Sequence, residues 1–165
     1  MDPASTLVGL AEISLALAGF AAIVLVLGIR GAALEPQTSA DIRVMVLNAV
    51  GSAFFCLVGV AVLALEVPTP FAWLLSSAFV LVAMVAGSVM NQWLFLRHLE
   101  APNLALAAVW WSFAVAAAAL HLVNVLDVLG PPSFGLFFLG LVVLLGQAAA
   151  HFVHMVFTFL GRPAA

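Results

Sequence analysis

The stretch at residues 6–29, TLVGLAEISLALAGFAAIVLVLGI, decides the fold. It carries one charged side chain, Glu12, and at a rise of about 1.5 Å per residue a helix of this length reaches about 36 Å. That is enough to cross a hydrocarbon core of roughly 30 Å with some tilt. A soluble amphipathic helix would interleave polar residues at every turn, and this run does not.

Four more runs of the same kind follow, at residues 44–65, 71–96, 104–126 and 134–160. The breaks between them are punctuated by Glu35-Pro36-Gln37-Thr38-Ser39, Pro68-Thr69-Pro70, Glu100-Ala101-Pro102-Asn103 and Gly130-Pro131-Pro132-Ser133, all of which favour turns. Across 165 residues, 67% are hydrophobic and 7% charged, whereas soluble domains are roughly half apolar and a quarter charged. The reading is an all-α integral membrane bundle of five transmembrane helices, one transmembrane domain over residues 1–165 with no room for a soluble one.

The four cationic residues, Arg30, Arg43, Arg97 and Arg162, orient it. With five spans they all fall on one side, as cytoplasmic segments do, so the N-terminus is expected outside and the C-terminus in the cytoplasm. Met1-Asp2-Pro3 lacks the positive start of a signal peptide, and the first run is read as a retained helix. With no Lys and no basic cluster, nucleic acid is excluded as a partner, and the bilayer is the expected surroundings. The absence of Lys and Tyr beside abundant Ala, Val, Leu and Gly suits a bacterial inner membrane protein. Cys56 stands alone in an apolar run and reads as a small buried hydrophobe.

Trp73 and Trp93 fall near the two ends of the third run, where indoles favour the membrane interface; Trp110 and Trp111 lie deeper. Small residues predict close helix packing: Ala18, Gly19 and Ala22 in the first run, Gly51 and Gly59 in the second, Ala114 to Ala119 in the fourth. Such faces also allow a homo-oligomer or a place in a larger membrane complex. No internal duplication is visible, which argues against an inverted-repeat transporter.

Polar side chains in hydrocarbon are the candidate functional residues, and by depth they form two layers. Toward the outside lie Glu12 and Ser14, Ser76 and Ser77, His121 and Asn124, with Asp127 at the rim. Glu12 enters about 9 Å below the start of its run and His121 lies at similar depth, so a contact between them is expected. Toward the inside lie Asn48, Asn91, Gln92 and the stripe Gln147, His151, His154 and Thr158, whose spacing puts it on one helical face.

Neither metal nor haem is expected. His151 and His154 at i, i+3 lack the further ligands Zn²⁺ requires, and His121 lies a layer away from them for haem ligation. Nucleophile elbow, HExxH, P-loop and GxGxxG patterns are absent; Val50-Gly51-Ser52-Ala53 supplies no base for Ser52, so no enzymatic activity is expected. Glu12 followed by Leu15-Ala16-Leu17-Ala18-Gly19-Phe20-Ala21 resembles the opening helix of uncharacterised small bacterial multi-pass membrane proteins, which implies an inner-membrane location and no activity.

Two functions fit. The polar layers could carry a proton, ion or small solute through a small transporter or channel subunit. They could instead be interhelical hydrogen-bonding glue in a non-catalytic anchor or assembly subunit of a larger complex. The first requires water at the inner histidines, and the second an unsatisfied helix face.

Overall fold

The computed structural model describes residues 2–28, 36–94 and 104–160. They form five helices, α1 (Pro3–Gly28), α2 (Pro36–Leu63), α3 (Thr69–Leu94), α4 (Leu104–Val125) and α5 (Phe134–Leu160). Each contains a segment long and apolar enough to cross a membrane. In hydrocarbon no water can satisfy a backbone amide, so helices, which satisfy their own, are what such runs form.

The helix starts use local chemistry. Asp2 caps α1: the Ser5 amide donates to Oδ2 at 2.9 Å and the Ala4 amide to Oδ1 at 3.3 Å. The Ser5 amide holds the Asp2 carboxyl below its ordinary range. Pro36 opens α2 eight residues before the expected boundary at 44. Read as turn punctuation, it is instead helical, its fixed φ already suiting a helix. At the other ends, Glu66 (φ 53°) and Asp127 (φ 57°) adopt the left-handed conformation that closes α2 and α4. After Asp127 the Val128 amide donates back to the Val123 carbonyl at 3.3 Å.

Helix α5 is the hub. It touches α1, α2, α3 and α4, while among the described residues those four touch one another only in chain order, α1 to α2, α2 to α3 and α3 to α4. The first four helices therefore make an arc, and α5 lies in its concave side. Two apolar clusters fill the contact. Leu7, Leu10, Ala11, Ala53, Cys56, Trp73, Val80, Ala117, Phe137, Leu141 and Leu144 form the larger, nearer the N-terminus. Ala21, Ile42, Met45 and Met155 form the smaller, toward the opposite end.

Two expectations about packing change. Trp73 keeps its place near the start of α3 but turns into the core, 2% exposed, its ring centroid 5.1 Å from that of Phe134 and 5.6 Å from that of Phe137. A large apolar surface with two aromatic neighbours outweighs the interfacial preference of one indole N–H. The face with Gly19 and Ala22 is exposed, and α1 packs through Leu7, Leu10, Ala11, Ser14 and Ala21 instead. Two leucines, two alanines and one serine turn inward, and Gly19 and Ala22 are left outside.

Gly59 is where a small residue is required. A Cβ there would lie 2.9 Å from Leu7 Cδ1 and 3.0 Å from Phe137 Cε1, so this glycine sets how closely α1 and α5 approach α2. Gly59→Val is expected to lower stability by about 1–3 kcal/mol, as overpacking does. Reversible unfolding in mixed micelles measures it. Gly9→Ala, with nothing within 4 Å of the added carbon, should not lower the midpoint.

Candidate functional site: two buried polar clusters and an outward-facing acid

The first cluster joins α3, α4 and the start of α5. Ser76, Ser77, His121 and Asn124 are each 0% exposed. Asn124 lies one residue before α4 ends and behaves as a stand-in for a peptide unit. Its Oδ1 accepts from the Ser133 amide at 2.7 Å, and its Nδ2 donates to the Ser133 carbonyl at 3.2 Å and to Ser77 Oγ at 2.8 Å. Ser133 in turn caps α5, its Oγ accepting from the Leu136 amide at 3.4 Å. One side chain thus ties the end of α4 to the start of α5 and to α3, where the backbone leaving α4 would otherwise lack partners.

His121 occupies a slot made by the absence of a side chain. A Cβ on Gly140 would lie 2.5 Å from His121 Nε2. The imidazole stands edge-on to Phe137 at 5.7 Å, and Nδ1 lies 3.5 Å from Ser77 Oγ. Nε2 of His121 and Oγ of Ser76 are buried without a hydrogen-bond partner.

The second cluster lies further along α4 and α5. The Trp110 ring stacks on His151, centroids 3.8 Å apart and planes at 25°, and meets His154 edge-on at 6.1 Å. Gln147 Nε2 donates to the Trp110 carbonyl at 3.0 Å. So the Gln147, His151 and His154 stripe faces α4. His151 is 2% exposed and Gln147 6%. Trp110 is the residue that sequence reasoning missed; its only signal was an indole too deep for the interface, which required a partner inside the bundle.

The remaining members of the inner layer do not join this stack. Asn48 on α2 is half-buried with Nδ2 unpartnered, and Ser52, one turn further along α2, is fully buried with Oγ unpartnered. The side chains of Asn91, Gln92 and Thr158 lie outside the described residues.

Trp110 and His121 are eleven positions apart on α4, a separation of about 16 Å. Between them stand Ala117 of α4 and Leu141 and Leu144 of α5, each at most 4% exposed. The two polar clusters are thus divided by packed apolar side chains. A groove of about 240 Å³ between α3 and α4, lined by Met84, Val85, Val89, Trp111, Ala114 and Val115 among others, is apolar and touches neither cluster. Among the described residues no three His, Cys, Asp or Glu side chains gather to hold a metal ion.

Glu12 belongs to neither cluster. Its side chain is exposed on the outer surface of α1, and the expected contact with His121 does not form, because α1 and α4 do not touch among the described residues. Nor do the two share a depth, since His121 lies four residues, or about 6 Å, before the end of α4. Glu12 is also deeper than expected. Since α1 begins at Pro3, it lies about 14 Å along the helix and within two residues of the middle of the apolar span Pro3–Val24. Neighbouring Ser14 is fully buried and turns its hydroxyl back to the Leu10 carbonyl at 2.8 Å. Comparisons with protein-family models, curated proteins and solved structures find no match to this chain.

If Asn124 is the clasp described, Asn124→Leu, of similar volume, strands the Ser133 amide and carbonyl and should cost about 1–3 kcal/mol of stability. Ser112→Ala, which removes only an exposed hydroxyl bonded to the Val109 carbonyl of its own helix, should change stability by less than about 0.5 kcal/mol. Unfolding both variants beside the wild type checks the contrast.

Proposed function

We propose that this chain is a non-catalytic multi-pass membrane subunit that works by assembling with another membrane protein, its N-terminus outside and its C-terminus in the cytoplasm of a bacterial cell. The observation that carries the reading is Glu12: a carboxyl group near the middle of a span, exposed on the outer surface of the bundle. Among the described residues it is the one charged side chain at such a depth. Ionisable groups there are costly and normally face the bundle interior, so an outward one calls for a partner.

The buried clusters support the same reading. Asn124, Ser77 and Ser133 use their hydrogen bonds on one another, and Gln147 uses its own on Trp110. That is what interhelical ties do, at roughly 0.6–2 kcal/mol per contact. A conduit needs water at His151, which is 2% exposed beneath the Trp110 ring, and continuity toward His121, where Ala117, Leu141 and Leu144 intervene. The arginine positions support the orientation.

Two measurements on purified protein in liposomes test the reading against a transporter or channel. Proton and ion flux should match empty vesicles, and a cysteine replacing His151 in a Cys56→Ser background should resist a membrane-impermeant thiol reagent. Flux abolished by His151→Ala/His154→Ala, together with rapid labelling at position 151, would replace the assembly reading with a conduit.

A further inference from the structure

We infer that the outward face of α1 is the docking surface for a transmembrane helix of another protein that carries a basic residue, Arg or Lys, near its mid-span, opposite Glu12. This rests on the assembly reading and gives it a chemistry. The face is narrow. At 100° per residue, Ser5, Gly9, Ala16, Gly19 and Ile23 fall within about 60° of Glu12 on the helix surface, as do Val8, Leu15 and Val26. Ser5, Glu12, Ala16, Gly19 and Ile23 are exposed, and a Cβ built on Gly9 or Gly19 meets nothing within 4 Å. Val8 and Leu15 flank the carboxyl on one side, while Gly9 and Ala16 flank it on the other and let a second helix backbone approach closely along that side, within reach of Glu12.

Charge selects the occupant. A second copy inserted with the same orientation holds its own Glu12 at the same depth, so a symmetric contact on this face sets carboxylate against carboxylate. Nor can a copy supply a cation there. Arg43, the one arginine among the described residues, follows Ile42, which packs with Ala21, nine positions or about 14 Å beyond Glu12 on α1. Arg30, Arg97 and Arg162 lie at or beyond the ends of the apolar runs. A basic residue at mid-span, itself costly in lipid, is complementary: each charge removes the other's need for water.

The test uses single-span probe peptides of a leucine–alanine host with one small-residue face. A central Arg, Leu or Glu distinguishes the three peptides, and resonance energy transfer to the labelled full-length protein in neutral-lipid liposomes reads association. The Arg peptide should bind wild type about tenfold more tightly than it binds Glu12→Gln, and more tightly than the Leu and Glu peptides bind wild type. Gly19→Leu, which fills open space outside the bundle, should also block the Arg peptide while leaving the unfolding midpoint unchanged. Equal binding of the Arg and Leu peptides, binding that survives Glu12→Gln, or no binding would each overturn the inference. So would concentration-dependent self-association lost in Glu12→Gln, which assigns the face to a second copy. Any of these with no flux across the liposomes leaves the assembly reading standing without this partner; flux that depends on His151 and His154 removes the reading itself.

Discussion

A polar side chain inside a bilayer has no water to fall back on, and this constraint decides which face of each helix turns inward. Apolar residues cannot make that choice here, because they surround every helix. Phe20, Ile23, Val82, Val85 and Phe157 are as hydrophobic as the core residues, yet more than half exposed. The choice falls to Ser14, Ser52, Ser76, Ser77, His121, Asn124, Gln147 and His151, every one of which is buried. With the polar face of α5 turned toward α4 and Phe134 and Phe137 toward Trp73, α5 occupies the concave side of the arc made by the other four.

Close packing then follows from what is missing at two positions. Gly59 admits Leu7 and Phe137, and Gly140 admits the His121 ring. Asn124 closes the same end by serving the backbone at Ser133. These contacts lock one another: the ring that needs the gap at Gly140 also stands against Phe137, which presses on Gly59. A bundle held this way at one end and by the Trp110 and His151 stack further along has Asn124, Ser77, Ser133 and Gln147 committed to structure. Glu12, at mid-span, faces outward.

Much of this was legible in the residues, and the reason is one-dimensional. Helix number and approximate limits depend on the length of apolar runs, and the depth of a polar group depends on its distance along one. Direction around the helix is different. Glu12 and His121 were matched by depth along their runs, but their contact also needed α1 beside α4, and the arc places those helices apart. Trp73 and Gly19 were assigned by depth and size, and each faces the way its neighbours dictate: the indole toward Phe134, the glycine away from the bundle. Pro36 carried a local signal that fits both a turn and a helix start, and the residues after it decided for the helix. Trp110 could be found only from its partner, since nothing in α4 alone specifies an imidazole to stack on.

The account's central claim is the direction of one side chain, and lipid-phase labelling tests it on the unmodified protein. A diazirine dissolved in the bilayer is photolysed around the protein in liposomes, and the sites of insertion along α1 are read by peptide fragmentation. The account predicts label on Glu12, Ile13, Leu15, Phe20 and Ile23, with Ala11, Ser14 and Ala21 protected. Label on Ser14 and Ala21 with Glu12 protected would mean that the helix presents its opposite face to lipid, and would contradict the account.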